Sequence, residues 1–208
     1  MKLICIADTH NKHQHLDLPA GDVLIHAGDF TESGTRGECL EFLKWFSGQP
    51  HTHKILIAGN HDFYFEKLNA QELNEILPSN IHYLNDSGIT IDEVSFWGSP
   101  ITPGSGRWAF NRDRGDAISK HWQRIPKDTQ VLITHTPPYG IMDRIKSDTS
   151  VGCSDLLKKV KSVQPKIHIF GHIHENYGLE KKSDIRYLNC SVLNETYTFF
   201  RPPSQVEV

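Results

Sequence analysis

The sequence predicts an α/β protein, a four-layer α/β/β/α sandwich in which two mixed sheets are flanked by helices. Three observations carry this. Short runs of Ile, Val and Leu recur along the chain, segments with apolar residues three and four apart separate them, and the C-terminal part has strands with no helix between them. At 208 residues, residues 1–208 are expected to form one domain with one main core.

The predicted strands are Leu3–Ala7, Val23–Ala27, Ile55–Ala58, Val94–Gly98, Val131–Thr134 and Ile167–Phe170. Near-continuous apolar runs of this kind suit strands buried on both faces. Glu38–Phe46, Glu66–Leu77, Asp116–Ile125 and Ser154–Val163 show the spacing of amphipathic helices. Ile185–Asn189 and Thr196–Phe200 follow as strands, which makes part of the sheet antiparallel. The Thr102–Arg107 stretch, with Pro103, Gly104 and Gly106, is the strongest loop signal and is long enough to carry binding groups.

Composition excludes several classes. A net charge of −3 offers no basic footprint for duplex nucleic acid. No apolar stretch approaches the roughly 18 residues of a membrane span, and the first apolar run stops at Asp8, too early for a secretory core. Cys5, Cys39, Cys153 and Cys190 are far apart and form no C-x-x-C pair. Free buried thiols in a reducing cytoplasm are the expectation.

Five predicted strands run directly into side chains that can bind a metal. They lead to Asp8 and His10, to Asp29, to Asn60 and His61, to His135, and to His172 and His174. Ligands of open α/β sheets bind at the carboxyl ends of strands, where neighbouring loops converge. A single Asp or His there is usually a loop residue or a helix cap. Two carboxylates, one amide oxygen and as many as five imidazoles together are hard to attribute to capping, and mixed N/O donors suit Mn, Fe or Zn better than Ca. The donors are too many for one ion with an open position. Two ions about 3.5–4 Å apart need a bridging carboxylate, for which Asp29 is the natural candidate, and they let a bridging water ionise near neutral pH.

The pattern Asp8-x-His10, Gly28-Asp29, Gly59-Asn60-His61-Asp62, His135 and Gly171-His172-x-His174 resembles the calcineurin-like metallophosphoesterases. The stretches GDFTE, LNDSG, WGSPITP, THTPP and VGCSDLL resemble the metallophosphoesterase-domain branch that includes class III cyclic-nucleotide phosphodiesterase relatives. The resemblance implies Asp8, His10 and His174 on a first ion, Asn60, His135 and His172 on a second, and Asp29 between them. It also implies that His61 serves the leaving oxygen, with Asp62 fixing its ring. Two divalent ions outweigh the two carboxylates and a bridging hydroxide, so the site would attract phosphate.

Departures from other branches narrow the expectation. Gly28-Asp29 is followed by Phe30-Thr31-Glu32-Ser33, where protein serine/threonine phosphatases resemble one another in Asp-Arg-Gly, and 208 residues leave no room for a nuclease's DNA-binding domains. The expected function is a phosphodiesterase acting on small phosphodiesters such as cyclic nucleotides. The alternatives are a phosphomonoesterase of broad specificity and a non-catalytic, metal-stabilised nucleotide-binding scaffold. Asn111, just after the glycine-rich loop, is the candidate substrate contact. Arg107, Arg112 and Arg114 could clamp a phosphate bidentately but read first as solvated surface, and the eight remaining histidines read as solvated or hydrogen-bonded structural residues. The expected partner is a small-molecule phosphoester, with no duplex nucleic acid and no membrane; the sequence leaves the oligomeric state open, a dimer included.

Overall fold

The computed structural model describes residues 1–198 and 200–208. In chain order it contains β1 (Lys2–Ile6), β2 (Val23–Ala27), α1 (Arg36–Ser47), β3 (His53–Ile57), α2 (Phe63–Lys67), α3 (Ala70–Ile76), β4 (His82–Tyr83), β5 (Ser87–Ile91) and β6 (Val94–Ser99). Then follow β7 (Thr102–Pro103), β8 (Asn111–Arg112), α4 (Asp116–Gln123), β9 (Val131–Thr134), α5 (Ser154–Val163), β10 (Ile167–Phe170), β11 (Gly178–Lys182), β12 (Ile185–Asn189) and β13 (Ser204–Glu207). One sheet has the order β13-β1-β2-β3-β4 and the other β11-β12-β10-β9-β6-β5, with β7-β8 as a separate ribbon. Both sheets are mixed: β1, β2, β3 and β4 run parallel, as do β6, β9, β10 and β12, while β13, β11 and β5 are antiparallel edges.

The apolar runs are continuous because alternate residues face different cores. Leu3, Cys5 and Ala7 of the first run, with Val23, Ile25, Ile55 and Ile57, meet Val131, Ile133, Ile167 and Ile169 of the second sheet. Ile4, Leu24 and Leu56 turn the other way, onto a core that includes Phe42, Leu43 and Phe46 of α1. Leu132 and Phe170 do the same on the second sheet, in the cluster that holds Ile118 and Trp122 of α4 and Leu156 and Val160 of α5. The inner strands are therefore largely apolar on both faces, as strands sandwiched between a sheet and helices must be.

Two sequence expectations change. The helix expected over Glu66–Leu77 is divided at Asn69, whose side chain accepts from the amides of Gln71 and Glu72 while Glu72 caps the Asn69 amide in return. A capping box starts a new helix there, so the periodicity holds and the continuity does not. The strand expected over Thr196–Phe200 is a turn across 196–198, where Tyr197 has φ 58° and the Asn194 side chain accepts from the Thr198 amide at 2.9 Å, and Phe200 makes an isolated antiparallel bridge to Leu193. Local side-chain bonding outcompetes pairing with a neighbouring strand. Phe199 lies outside the described residues. The real C-terminal strand is β13, which seals the β1 edge.

Candidate metal centre

The parallel strands of both sheets end on one edge, and the loops that leave them hold the predicted residues. β1, β2 and β3 deliver Asp8, His10, Asp29, Asn60 and His61, and β9 and β10 deliver His135, His172 and His174. The chain turns sharply at these points. Asp8 (φ 55°), His10 (39°), Asp29 (55°) and His172 (70°) all occupy the left-handed region. Non-glycine residues adopt it at a cost that the surrounding contacts must overcome, and such residues concentrate at functional sites.

The contacts are visible. The Asp8 carboxylate accepts from the His172 amide at 2.9 Å and from Ser191 Oγ at 2.6 Å, which ties the first strand end to the last two. Asp29 Oδ1 accepts from the His61 amide at 2.8 Å, and its Oδ2 lies 3.3 Å from His135 Nε2 and 3.9 Å from His10 Nε2. Asn60 Oδ1 is 3.0 Å from the same His135 Nε2. One donor atom each from Asp8, His10 and His174 falls within 4.8 Å of the others, and the same holds for Asp29, His135 and His172 and for His10, Asp29 and His61. His172 and His174 thus join different clusters.

The chemistry of these donors fits metal ions. The His10 side chain is fully buried, yet neither ring nitrogen has a hydrogen-bond partner; a buried polar atom left unpaired is costly, and a cation would satisfy it. His135 Nδ1 donates to the Ala27 carbonyl at 2.9 Å and His174 Nδ1 to the Leu193 carbonyl at 3.1 Å, which aims each Nε2 into the cluster. This is how metal-binding imidazoles are oriented. Burial opposes charge on Asp29, but the imidazoles of His135 and His10 hold its carboxyl far below the usual range. Burial likewise opposes charge on His135, and Asp29 overcomes it, raising the imidazole to about 9. His172 goes the other way, to about 4, because it is buried beside His135.

The approach is tight enough to demand glycine. A Cβ on Gly171 would sit 2.3 Å from Asp8 Oδ2, and one on Gly59 would sit 2.3 Å from Asp29 Oδ1. Gly171→Ala is expected to weaken metal affinity by about 10- to 100-fold, the usual cost of disturbing a ligand's support, because Ser191 and the His172 amide leave Asp8 no room to retreat. Competition against a chromogenic chelator measures it, and unchanged affinity would sink the idea.

One role differs from expectation. Asp62 does not hold the His61 ring; its carboxylate accepts from the amides of Asp29, Thr31 and Gly59 and from Thr31 Oγ1. His61 Nδ1 instead donates to the Glu32 carbonyl at 2.8 Å. A backbone carbonyl beside an imidazole cannot be read from side-chain chemistry. Asn111 lines a cavity beside His172, and its amide also braces the loop, donating to Thr102 Oγ1 at 2.6 Å and accepting from the Trp108 amide at 3.4 Å. Arg112 meets Glu66, and Arg114 donates to the Val151 and Gly152 carbonyls.

Sequence reading passed over Ser191, Tyr197 and Trp108. Ser191 carries no signal in its neighbours. Tyr197 packs on His10 and His174 with ring centroids 4.7 and 4.8 Å away. Trp108, the aromatic residue after the glycine-rich loop, was the legible one. Among the other histidines, His26 and His168 hydrogen-bond Thr9 and Thr134. His13 departs from expectation: it is buried between Phe42 and Trp45 with neither ring nitrogen bonded.

Comparisons with known proteins agree with this geometry. The sequence model of the calcineurin-like phosphoesterase family matches residues 1–176. Human metallophosphoesterase domain-containing protein 1 is 38% identical over 230 residues, covering 100% of this chain and 71% of that protein. A UPF0046 protein of Caenorhabditis elegans is 40% identical over 208 residues, covering 94% of this chain and 71% of its own. Among solved structures, the TT1561 protein of Thermus thermophilus superposes with a TM-score of 0.64 at 12% identity, over 91% of this chain and 88% of that one. The match of the family model across the strand ends that build the site, together with these relatives, makes the chain a member of the calcineurin-like phosphoesterase family.

Proposed function

We propose that this protein is a dinuclear-metal-dependent phosphodiesterase of small phosphodiesters such as cyclic nucleotides. The observation that carries the reading is the pair of clusters, Asp8/His10/His174 and Asp29/His135/His172, with Asp29 also beside His10. The family is typically dinuclear. Asp8, His10 and His174 would hold one ion, Asn60, His135 and His172 the other, and Asp29 would serve both. Two ions of Mn, Fe or Zn supply an activated water and neutralise phosphate oxygens.

The chain's own residues do the rest. His61 would deliver a proton to the leaving oxygen from Nε2, because Nδ1 is held by the Glu32 carbonyl. The ring is part-exposed, within reach of Asp29 and His10, and Trp108 packs against it. Beside Asn60 and His172 a cavity of about 400 Å³ opens, in the size range of small-ligand pockets. Its volume supports an ester whose organic group is of nucleotide size.

Metal analysis followed by turnover of a cyclic nucleotide, an aryl diester and an aryl monoester tests the reading. Two metals per chain and faster diester than monoester cleavage are expected. A preference for the monoester would make it a phosphomonoesterase, and nucleotide binding without turnover would make it a scaffold. His61→Gln should keep its metals and slow esters with poor leaving groups by about 10²- to 10⁴-fold, the range of general acid catalysis. An unchanged rate on such esters would remove the proton-donor role.

The described residues contain no helix long and apolar enough to cross a membrane. All four cysteines are free and buried, which supports a reducing compartment such as the cytoplasm.

A further inference from the structure

Trp108 is placed unlike the other large apolar side chains. Among the described residues only Trp108, Tyr139 and Leu179 are large, hydrophobic and exposed, and Trp108 leaves 48% of its surface open. Its ring lies at 32° to His61, 4.6 Å between centroids, and at 28° to Phe63, 5.9 Å away. It lines the same cavity as Asn60 and His172. An indole half open to water, at the mouth of a cavity that reaches the candidate metal ligands, is an uncovered aromatic surface where a substrate's organic group would lie.

The loop that carries it is braced from several directions. The Ala109 amide donates to the Asn60 carbonyl at 3.0 Å, the Phe110 amide to Glu66 Oε1 at 2.9 Å, and the Thr102 amide to the Phe110 carbonyl at 3.1 Å. Asn111 joins Thr102 to Trp108 from inside the loop. Ala109 and Phe110 are themselves buried. The backbone that follows the indole is therefore fixed against the loop base, which limits the ordering that binding would cost.

We propose that Trp108 is the stacking platform for the organic group of the ester, a nucleobase or a comparable planar ring, and so determines substrate class. This rests on the phosphoester reading above. A stacked ring contributes affinity without hydrogen-bond readout, so the platform would favour planar groups in general over sugars and alkyl groups. Arg107, which also lines the cavity, lies next to it in sequence.

The test is equilibrium binding of AMP and of ribose 5-phosphate, measured by calorimetry in Mn-containing buffer for wild type, Trp108→Ala and Trp108→Phe. The two probes share the phosphate and the sugar and differ in the base. Wild type should bind AMP about tenfold more tightly or better, in line with base stacking on an aromatic side chain. The ratio should collapse toward one in Trp108→Ala and stay within about twofold of wild type in Trp108→Phe. Equal affinity of wild type for the two probes, no measurable binding of either, or a Trp108→Ala loss that falls equally on both would overturn the proposal. An equal loss would mean that the indole only props His61. Turnover by wild type is scored separately: a protein that prefers AMP but cleaves no ester refutes the hydrolase reading and leaves the platform standing.

Discussion

Asp29→Ala is expected to lower phosphoester turnover by at least about a thousandfold, the upper end of what removing one preorganised charge-stabilising group costs, and to prevent the second metal from binding. Asp29, like His10, belongs to two clusters, with His135 and His172 in one and with His10 and His61 in the other. Its Oδ1 also fixes the amide of His61, so the substitution removes a donor and loosens the proposed proton donor together. Without the carboxylate, His135 loses the partner that raises its pKa, and burial then favours the neutral imidazole. Asp29→Asn separates the effects, because an amide oxygen can still accept from the His61 amide while the charge is gone. Metal stoichiometry and kcat/KM for both variants check this. Two tightly held metals in Asp29→Ala would show that the carboxylate does not serve both ions.

The second large effect is on stability. Asp62 is fully buried, and its carboxylate accepts from Gly59 N at 2.7 Å, Thr31 Oγ1 at 2.7 Å, Asp29 N at 3.0 Å and Thr31 N at 3.0 Å. It is the knot between the loops after β2 and β3. Asp62→Ala strands three amides, each worth about 1–3 kcal/mol when buried unpaired, while Thr31 Oγ1 keeps the His61 carbonyl at 3.2 Å. A total on the order of 5 kcal/mol is a large share of a domain's 5–15 kcal/mol. The melting temperature should fall by about 10–20 °C, as seen by calorimetry. Asp62→Asn, which keeps one acceptor oxygen, should fall in between. A normal melting temperature with only the rate reduced would return Asp62 to the role of a partner for His61.

How much of this was legible depends on what each residue needs. The inner strands were, because a strand covered on both faces is apolar at nearly every position: Leu3 to Ala7 is wholly so, and Ile167 to Phe170 departs at His168, which Thr134 satisfies. Edge strands were not: β11, GLEKK, is mostly exposed and carries no apolar alternation, and β13 was displaced onto Thr196–Phe200 by β-branched and aromatic residues that a local Asn194 turn claimed first. The residues of the candidate site stood out one by one as polar groups ending apolar runs. Their supports did not, since the Glu32, Ala27 and Leu193 carbonyls hold imidazoles through backbone atoms that every residue possesses.

The two histidines near residue 173 mark the boundary between the two sources. Spacing of i and i+2 in extended chain would put both rings on one face. The chain leaves β10 at Phe170, His172 takes φ 70°, and His174 enters a short 3₁₀ turn, so the rings separate toward different carboxylates. The sequence by itself determined which donor types exist and that they follow strands, because hydrophobic burial is written in local pattern. Only the tertiary structure decided which donors meet, because that depends on two sheets packing face to face, with Ala7 bonding to Cys190 and Val192 where they join, and no local pattern encodes a contact made across more than 180 residues.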